Sequence, residues 1–160
     1  MKVNPIPHKR SMDEPGILDL LSRAEVGQVA MVAPDGGPYI VPICFVYDDG
    51  RIYFHCAQAG KKLDCLRSNS AVCFSAFEVE GLGVRAEKPC NSWEYYHSVV
   101  ASGTAQIVED RERKAHGLRR LSEKYAKGPV GEIPEDSLDR TCVIEIVLDE
   151  ASGKMNEKKI

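Results

Sequence analysis

Two turn signals constrain this chain more than any other feature. Pro34-Asp35-Gly36-Gly37-Pro38 and Asp48-Asp49-Gly50-Arg51 separate runs rich in β-branched and aromatic residues: Val26 to Ala33, Tyr39 to Tyr47 and Ile52 to Cys56. Connections this short fold a strand back onto its predecessor, so the runs pair antiparallel. Ala71 to Val79 continues the pattern, as does Tyr95 to Val108 with a bend expected at Gly103. In the last run, Thr141 to Leu148, Cys142, Ile144, Ile146 and Leu148 alternate with Thr141, Val143, Glu145 and Val147. Five or six antiparallel strands, each with one polar face, close into a barrel or a sandwich because closure removes exposed edges.

Short helices fill the connections. Ser11-Met12-Asp13-Glu14 has the form of a capping box, and Ile17, Leu20, Leu21 and Ala24 follow at helical spacing. Lys61 to Arg67 reads as a second helix, with Leu63 and Leu66 on one side. A third opens at Glu109-Asp110, carries Leu118, Leu121 and Tyr125 as its apolar stripe, and ends at Lys124, Lys127, Gly128 and Pro129. Gly81 to Ser92 reads as irregular chain.

The 160 residues are expected to form a single domain over 1–160 with its core at about 13–150, and their 21 Lys+Arg against 24 Asp+Glu leave a net charge of −3. Nucleic acid is not an expected partner, since its binders carry a surplus of cations. No apolar segment marks an export signal or a membrane span, so a reducing cytoplasm is the expected location. Of the six cysteines, Cys44, Cys56, Cys73 and Cys142 sit in apolar runs and are expected as packed thiols. No CxxC string occurs, and neither His55/Cys56 nor Cys90/His97 has zinc-ligand spacing, so no metal site is expected.

Four places carry possible chemistry. Gly60-Lys61-Lys62 puts two cations at a helix start, against the positive end of the macrodipole. A bound phosphate resolves that conflict, and two solvated surface lysines are the plain alternative. Pro42 interrupts Ile40-Val41-Pro42-Ile43-Cys44 where a ladder needs an N–H, which marks either an edge strand or a backbone that meets a ligand. His55 is a strand histidine, structural or proton-donating. Ser98 is an ordinary strand serine or a ligand donor, and Trp93, Tyr95 and Tyr96 before it serve packing or ring stacking.

Taken in order, Pro38-Tyr39-Ile40-Val41-Pro42-Ile43, Ile52-Tyr53-Phe54-His55, Gly60-Lys61-Lys62-Leu63-Asp64, Tyr96-His97-Ser98-Val99 with Gly103-Thr104-Ala105, and Ser152-Gly153-Lys154-Met155-Asn156 resemble the FMN-binding split barrels related to pyridoxamine phosphate oxidase. Within them the chain is most similar to the nitroimidazole-resistance branch. The resemblance implies a six-stranded antiparallel Greek-key barrel, mainly β with short helices, and a homodimer holding FMN at its interface. It implies that Gly60, Lys61 and Lys62 hold the phosphate and that Val41, Pro42, Ile43 and Cys44 lie along the flavin ring. His55 and Cys56 would flank that ring, with His55 as proton donor, and Ser98 would come from the second subunit. The implied activity is reduction of a small electron-poor organic molecule such as a nitroimidazole; FMN or haem binding without turnover is the alternative. Two positions depart from the branch: His97, where arginine is frequent, and Ala151, where an aromatic is frequent. Both are expected at the substrate pocket. The arginine-rich carboxyl-terminal motif of true pyridoxamine phosphate oxidases is absent, which disfavours that specific activity.

Overall fold

The structure, a computed structural model, describes residues 1–7, 9–88 and 92–157. Among them the chain forms β1 (Lys2–Val3), α1 (Glu14–Arg23), β2 (Val26–Val32), β3 (Pro38–Cys44), β4 (Val46–Asp48) and β5 (Arg51–Cys56). There follow α2 (Lys61–Ser68), β6 (Ala71–Gly83), β7 (Trp93–Ile107), α3 (Arg111–Ala126), α4 (Glu135–Arg140) and β8 (Cys142–Asn156). The strands hydrogen-bond in the order β3-β2-β6-β7-β8-β5-β4, with β1 parallel on β8. The strands at the two ends of this order, β3 and β4, are neighbours in sequence with only Phe45 between them. A sheet whose opposite edges are joined by one residue has to curl until they meet, which makes a barrel split along the β3 edge.

The fold class is the expected one, mainly antiparallel β with short helices, but with eight strands rather than six. One addition is β1. The other arises because Tyr39 to Tyr47 breaks at Phe45, whose ring is fully buried edge-on against Phe74 at 4.8 Å. Its N–H leaves the ladder and donates to the Tyr125 hydroxyl at 2.9 Å. The bend expected at Gly103 is a register shift between Ser102 and Gly103 in the β7–β8 ladder. Residues 81–83, read as irregular, extend β6 and pair with Trp93–Tyr95.

The barrel interior holds Val29, Phe45, Ile52, Phe54, Phe74, Val99, Ile144 and Ile146, and α1 closes it with Ile17, Leu20 and Leu21, all fully buried. The cap of α1 differs from the expected capping box. Asp13 is the N-cap and accepts from the Gly16 N–H at 3.0 Å, while the Ser11 hydroxyl accepts from the Ile6 N–H at 3.1 Å.

A second core lies outside the barrel, where α3 and α4 cover β4, β5 and β8 with Val46, Tyr53, Leu118, Leu121, Leu138 and Val143. The alternation expected of Thr141 to Leu148 holds in direction, but its outer set is not exposed, since Val143 and Glu145 are both fully buried under this layer. Neither α4 nor this outer layer was expected from periodicity. Glu145 accepts from Tyr53 Oη at 2.6 Å, Gln106 Nε2 at 2.5 Å and Arg113 Nη2 at 2.6 Å. The acid thus ties α3 to three strands.

The cysteines correct one expectation. Cys65 and Cys142 are buried and Cys56 half-buried, but Cys44 and Cys73 are exposed. Both stand on outward faces, Cys73 on β6 and Cys44 on β3, where it lines a cleft with α3. Cys90 lies outside the described residues.

Candidate functional site

The split is the place where sheet backbone goes unused. β3 pairs with β2 on one side, and among the described residues no strand pairs with its other side. Facing that side is the chain that leaves β5 and enters α2. The β4–β5 ladder sets Val46 opposite Tyr53, so the same register carried past Phe45 sets Cys44 opposite His55. Cys44 and His55 indeed line one cleft of about 350 Å³, closed on its third side by Leu118, Leu121, Ser122 and Tyr125 of α3. At the other end of β3, the Lys61 ammonium sits 4.8 Å from the Tyr39 ring centroid. Tyr39 to Cys44 spans about 17 Å of extended chain. The free edge of β3 therefore has a cationic helix start near one end and an imidazole beside a thiol near the other.

The start of α2 gathers positive charge with no side-chain cap. Gly60 has φ 129°, and no heavy atom lies within 4 Å of where a Cβ would stand. That backbone disfavours any L side chain, and it caps α2 without offering a side-chain acceptor to the first N–H groups. Lys62 lies 5.2 Å from the Phe54 ring centroid, and neither Lys61 nor Lys62 has a carboxylate partner among the described residues. The acid of the first turn, Asp64, pairs with Arg67 at 3.8 Å instead. Two unpaired ammonium groups and free helix-start N–H groups suit a phosphate.

Cys56, at the end of β5, pairs in register with Cys142. Burial and the neighbouring Cys142 raise its thiol to about 11, against the opposing charge of Lys62, so the thiol stays neutral. His55 makes no side-chain hydrogen bond or ion pair among the described residues and is exposed to the cleft. Its neighbours are better anchored. The Tyr125 hydroxyl accepts from the Phe45 N–H and donates to the Glu25 carbonyl. Lys124 Nζ donates to the Ala24 carbonyl at 2.7 Å and lies 4.0 Å from the Phe45 ring centroid, and burial lowers its pKa to about 8.

Of the expected residues, Cys44 and His55 share this cleft, Lys61 lies against Tyr39 and Lys62 against Phe54, and Ile43 is buried in the barrel core with Val41 and Cys56 packed on it; Pro42 stands on β3 and Gly60 caps α2. Ser98 does not join them within one chain. It lies on β7, three strands from β3 and so about 14 Å away across the sheet, and its hydroxyl donates to the Lys154 carbonyl at 3.1 Å. His97 lies beside it between Glu80 at 3.0 Å and Glu157 at 3.4 Å. Ala151 is buried in the barrel core. In a single chain, then, neither His97 nor Ala151 lines the cleft beside His55. The contribution of α3 was not expected from the sequence, where Leu118, Leu121 and Tyr125 read only as a packing stripe.

The architecture recurs in solved structures. A candidate 5-nitroimidazole antibiotic resistance protein from Bacteroides thetaiotaomicron superposes with a TM-score of 0.80 at 24% identity, over 90% of this chain and 85% of that one. The FAD and heme binding protein from Mycobacterium smegmatis gives 0.81 at 22%, over 94% and 75%. A flavocytochrome from Azotobacter vinelandii gives 0.79 at 22%, over 94% and 71%. No curated protein matches the sequence significantly. Identities this low establish a shared fold, and the sequence profile of one family, matching residues 13–155 from the cap of α1 to the end of β8, goes further. On that match the chain belongs to the pyridoxamine 5'-phosphate oxidase family.

Proposed function

We propose that FMN binds along the free edge of β3, that the protein works as a homodimer whose partner subunit contributes Ser98 to each site, and that it is an oxidoreductase acting on a small electron-poor organic molecule such as a nitroimidazole. The observation that carries this reading is the alignment of one free strand edge with two unpaired lysines at Gly60 and an unpartnered histidine at the far end. Bound flavin supplies the electron transfer. The chain's own residues do the rest. Lys61, Lys62 and the N–H groups after Gly60 neutralise the phosphate. The unpaired backbone of Val41 to Cys44 meets the polar edge of the ring, and Pro42 leaves one position there without a donor. Cys56, held as a neutral thiol, adds no charge beside the cofactor. His55, free of other partners, gives a proton to the bound substrate.

Support for the dimer comes from the outward face of β3, β2, β6 and β7. Val26, Ile40, Phe77, Val79 and Val100 are exposed there, Ile40 and Phe77 at 58% each, and Ser98 shares the face as the register partner of Phe77. An apolar face of this extent marks an association surface. A second reading, FMN or haem binding without turnover, is favoured by the likeness to a flavocytochrome and to a FAD and heme binding protein.

An absorption spectrum of the purified protein with and without added FMN, followed by anaerobic reduction and addition of a nitroimidazole, tests both readings. Stoichiometric FMN and rapid reoxidation by the nitroimidazole are expected. Bound FMN that no electron acceptor reoxidises would favour the carrier reading, and failure to bind FMN would remove the proposal.

A further inference from the structure

The wall of the cleft opposite His55 belongs neither to β3 nor to α2. It comes from one face of α3, where Leu118, Leu121, Ser122 and Tyr125 follow at helical spacing. Two of its polar groups differ in kind. The Tyr125 hydroxyl is committed to the backbone of Phe45 and Glu25, which fixes the ring as a flat surface. The Ser122 hydroxyl, like the His55 imidazole, has no hydrogen-bond partner among the described residues. Leu118 and Leu121 retain only 8% and 5% exposure, so they supply apolar floor. A concave space with apolar walls and a few convergent, unsatisfied polar groups is the signature of a small-molecule site, and about 350 Å³ falls at the small end of such sites.

We infer that α3 is the substrate-selecting wall of the site, with Ser122 as a positioning residue that donates to an oxygen of a one- or two-ring planar electron acceptor lying between the Tyr125 ring and His55. The inference rests on the flavoprotein reading above. It assigns cofactor binding to β3 and α2 and acceptor recognition to α3, so the two functions separate by mutation.

The test is Ser122→Trp, which fills the cleft from an exposed helix position, together with Ser122→Ala, which removes the donor and keeps the volume. In FMN-loaded protein the Kd of FMN is measured by fluorescence titration. The Kd of a single-ring nitroimidazole is measured from its perturbation of the oxidised flavin spectrum, without turnover. Ser122→Trp is expected to weaken the nitroimidazole at least tenfold and Ser122→Ala about threefold, with FMN affinity within twofold of wild type and an unchanged melting temperature. Unchanged nitroimidazole affinity in Ser122→Trp would overturn the inference. So would a parallel loss of FMN affinity, which would make the cleft part of the cofactor's own seat. Wild-type protein that binds no FMN would instead bring down the flavoprotein reading and this inference with it.

Discussion

Glu145 is a carboxylate with no exposure to water, held by Arg113, Tyr53 and Gln106, with Arg51 at 3.8 Å. Burial alone would raise its pKa, but the hydrogen bonds from Arg113, Tyr53 and Gln106 outweigh it and keep the acid below its ordinary value. The same contact, after burial, pushes the Tyr53 phenol well above its ordinary value. Because the folded-state pKa of Glu145 is depressed, its stabilisation is complete above the unfolded value near 4.3 and is lost as pH falls through the folded pKa. Glu145→Gln should therefore flatten the acid limb of a stability-versus-pH curve followed by urea unfolding. Glu145→Ala, which strands Tyr53 and Gln106, should cost about 3 kcal/mol at pH 7. Lys61 and Lys62 stand in the opposite condition, charged and unpaired. Changing either to Ala should raise the Kd of FMN about tenfold, read by fluorescence titration, and leave the melting temperature within about 2 °C, because neither side chain holds the fold.

Helix α3 reaches its place through Gly117. A Cβ there would stand 2.9 Å from the Tyr53 ring and 3.3 Å from Val143 Cγ1, so the helix backbone lies directly on β5 and β8. Glycine inside a helix costs about 1 kcal/mol in propensity, and the close approach offsets it by sealing the outer core. Gly117→Val should destabilise the protein by about 2 kcal/mol in thermal or urea unfolding. It should also displace the cleft wall, so acceptor affinity should fall more than FMN affinity. Much of this element was legible: Asp110 caps it, accepting from the Arg113 N–H at 2.8 Å, and Lys127 ends it in a left-handed turn at φ 56°. Its target was not legible, because a stripe of Leu118, Leu121 and Tyr125 states that a helix buries one face without stating against what. The break at Phe45 escaped for a similar reason. Nothing local in Cys44-Phe45-Val46 opposes a continuous strand; the distant Tyr125 hydroxyl takes the N–H that the ladder would have used.

At the scale of the whole molecule, the outward face of β3, β2, β6 and β7 is apolar and uncovered. It carries Val26, Ile40, Phe77, Val79 and Val100, with the exposed thiols Cys44 and Cys73 among them. Phe77→Glu should convert a dimer to a monomer in sedimentation analysis, since a carboxylate buried in an apolar interface has no partner. FMN should be lost in parallel if Ser98 of the second subunit contributes to the site. Retention of FMN by a monomer would assign the site to one chain alone. No helix among the described residues is long and apolar enough to cross a membrane.

The sequence by itself determined the local matters: antiparallel pairing from two tight turns, three of the helices, and the two lysines at the start of α2. These depend on backbone sterics and on residues within a turn or two of one another, which a linear pattern records. Only the tertiary structure decided that β3 is left unpaired along the split, that His55 and Cys44 face each other across it, and that α3 closes the cleft. It also buried Val143 and Glu145, because the outer layer of α3 and α4 covers the face of β8 that its alternation had marked as open. Burial is set by what packs from elsewhere in the chain, and no periodicity within a strand encodes its neighbour.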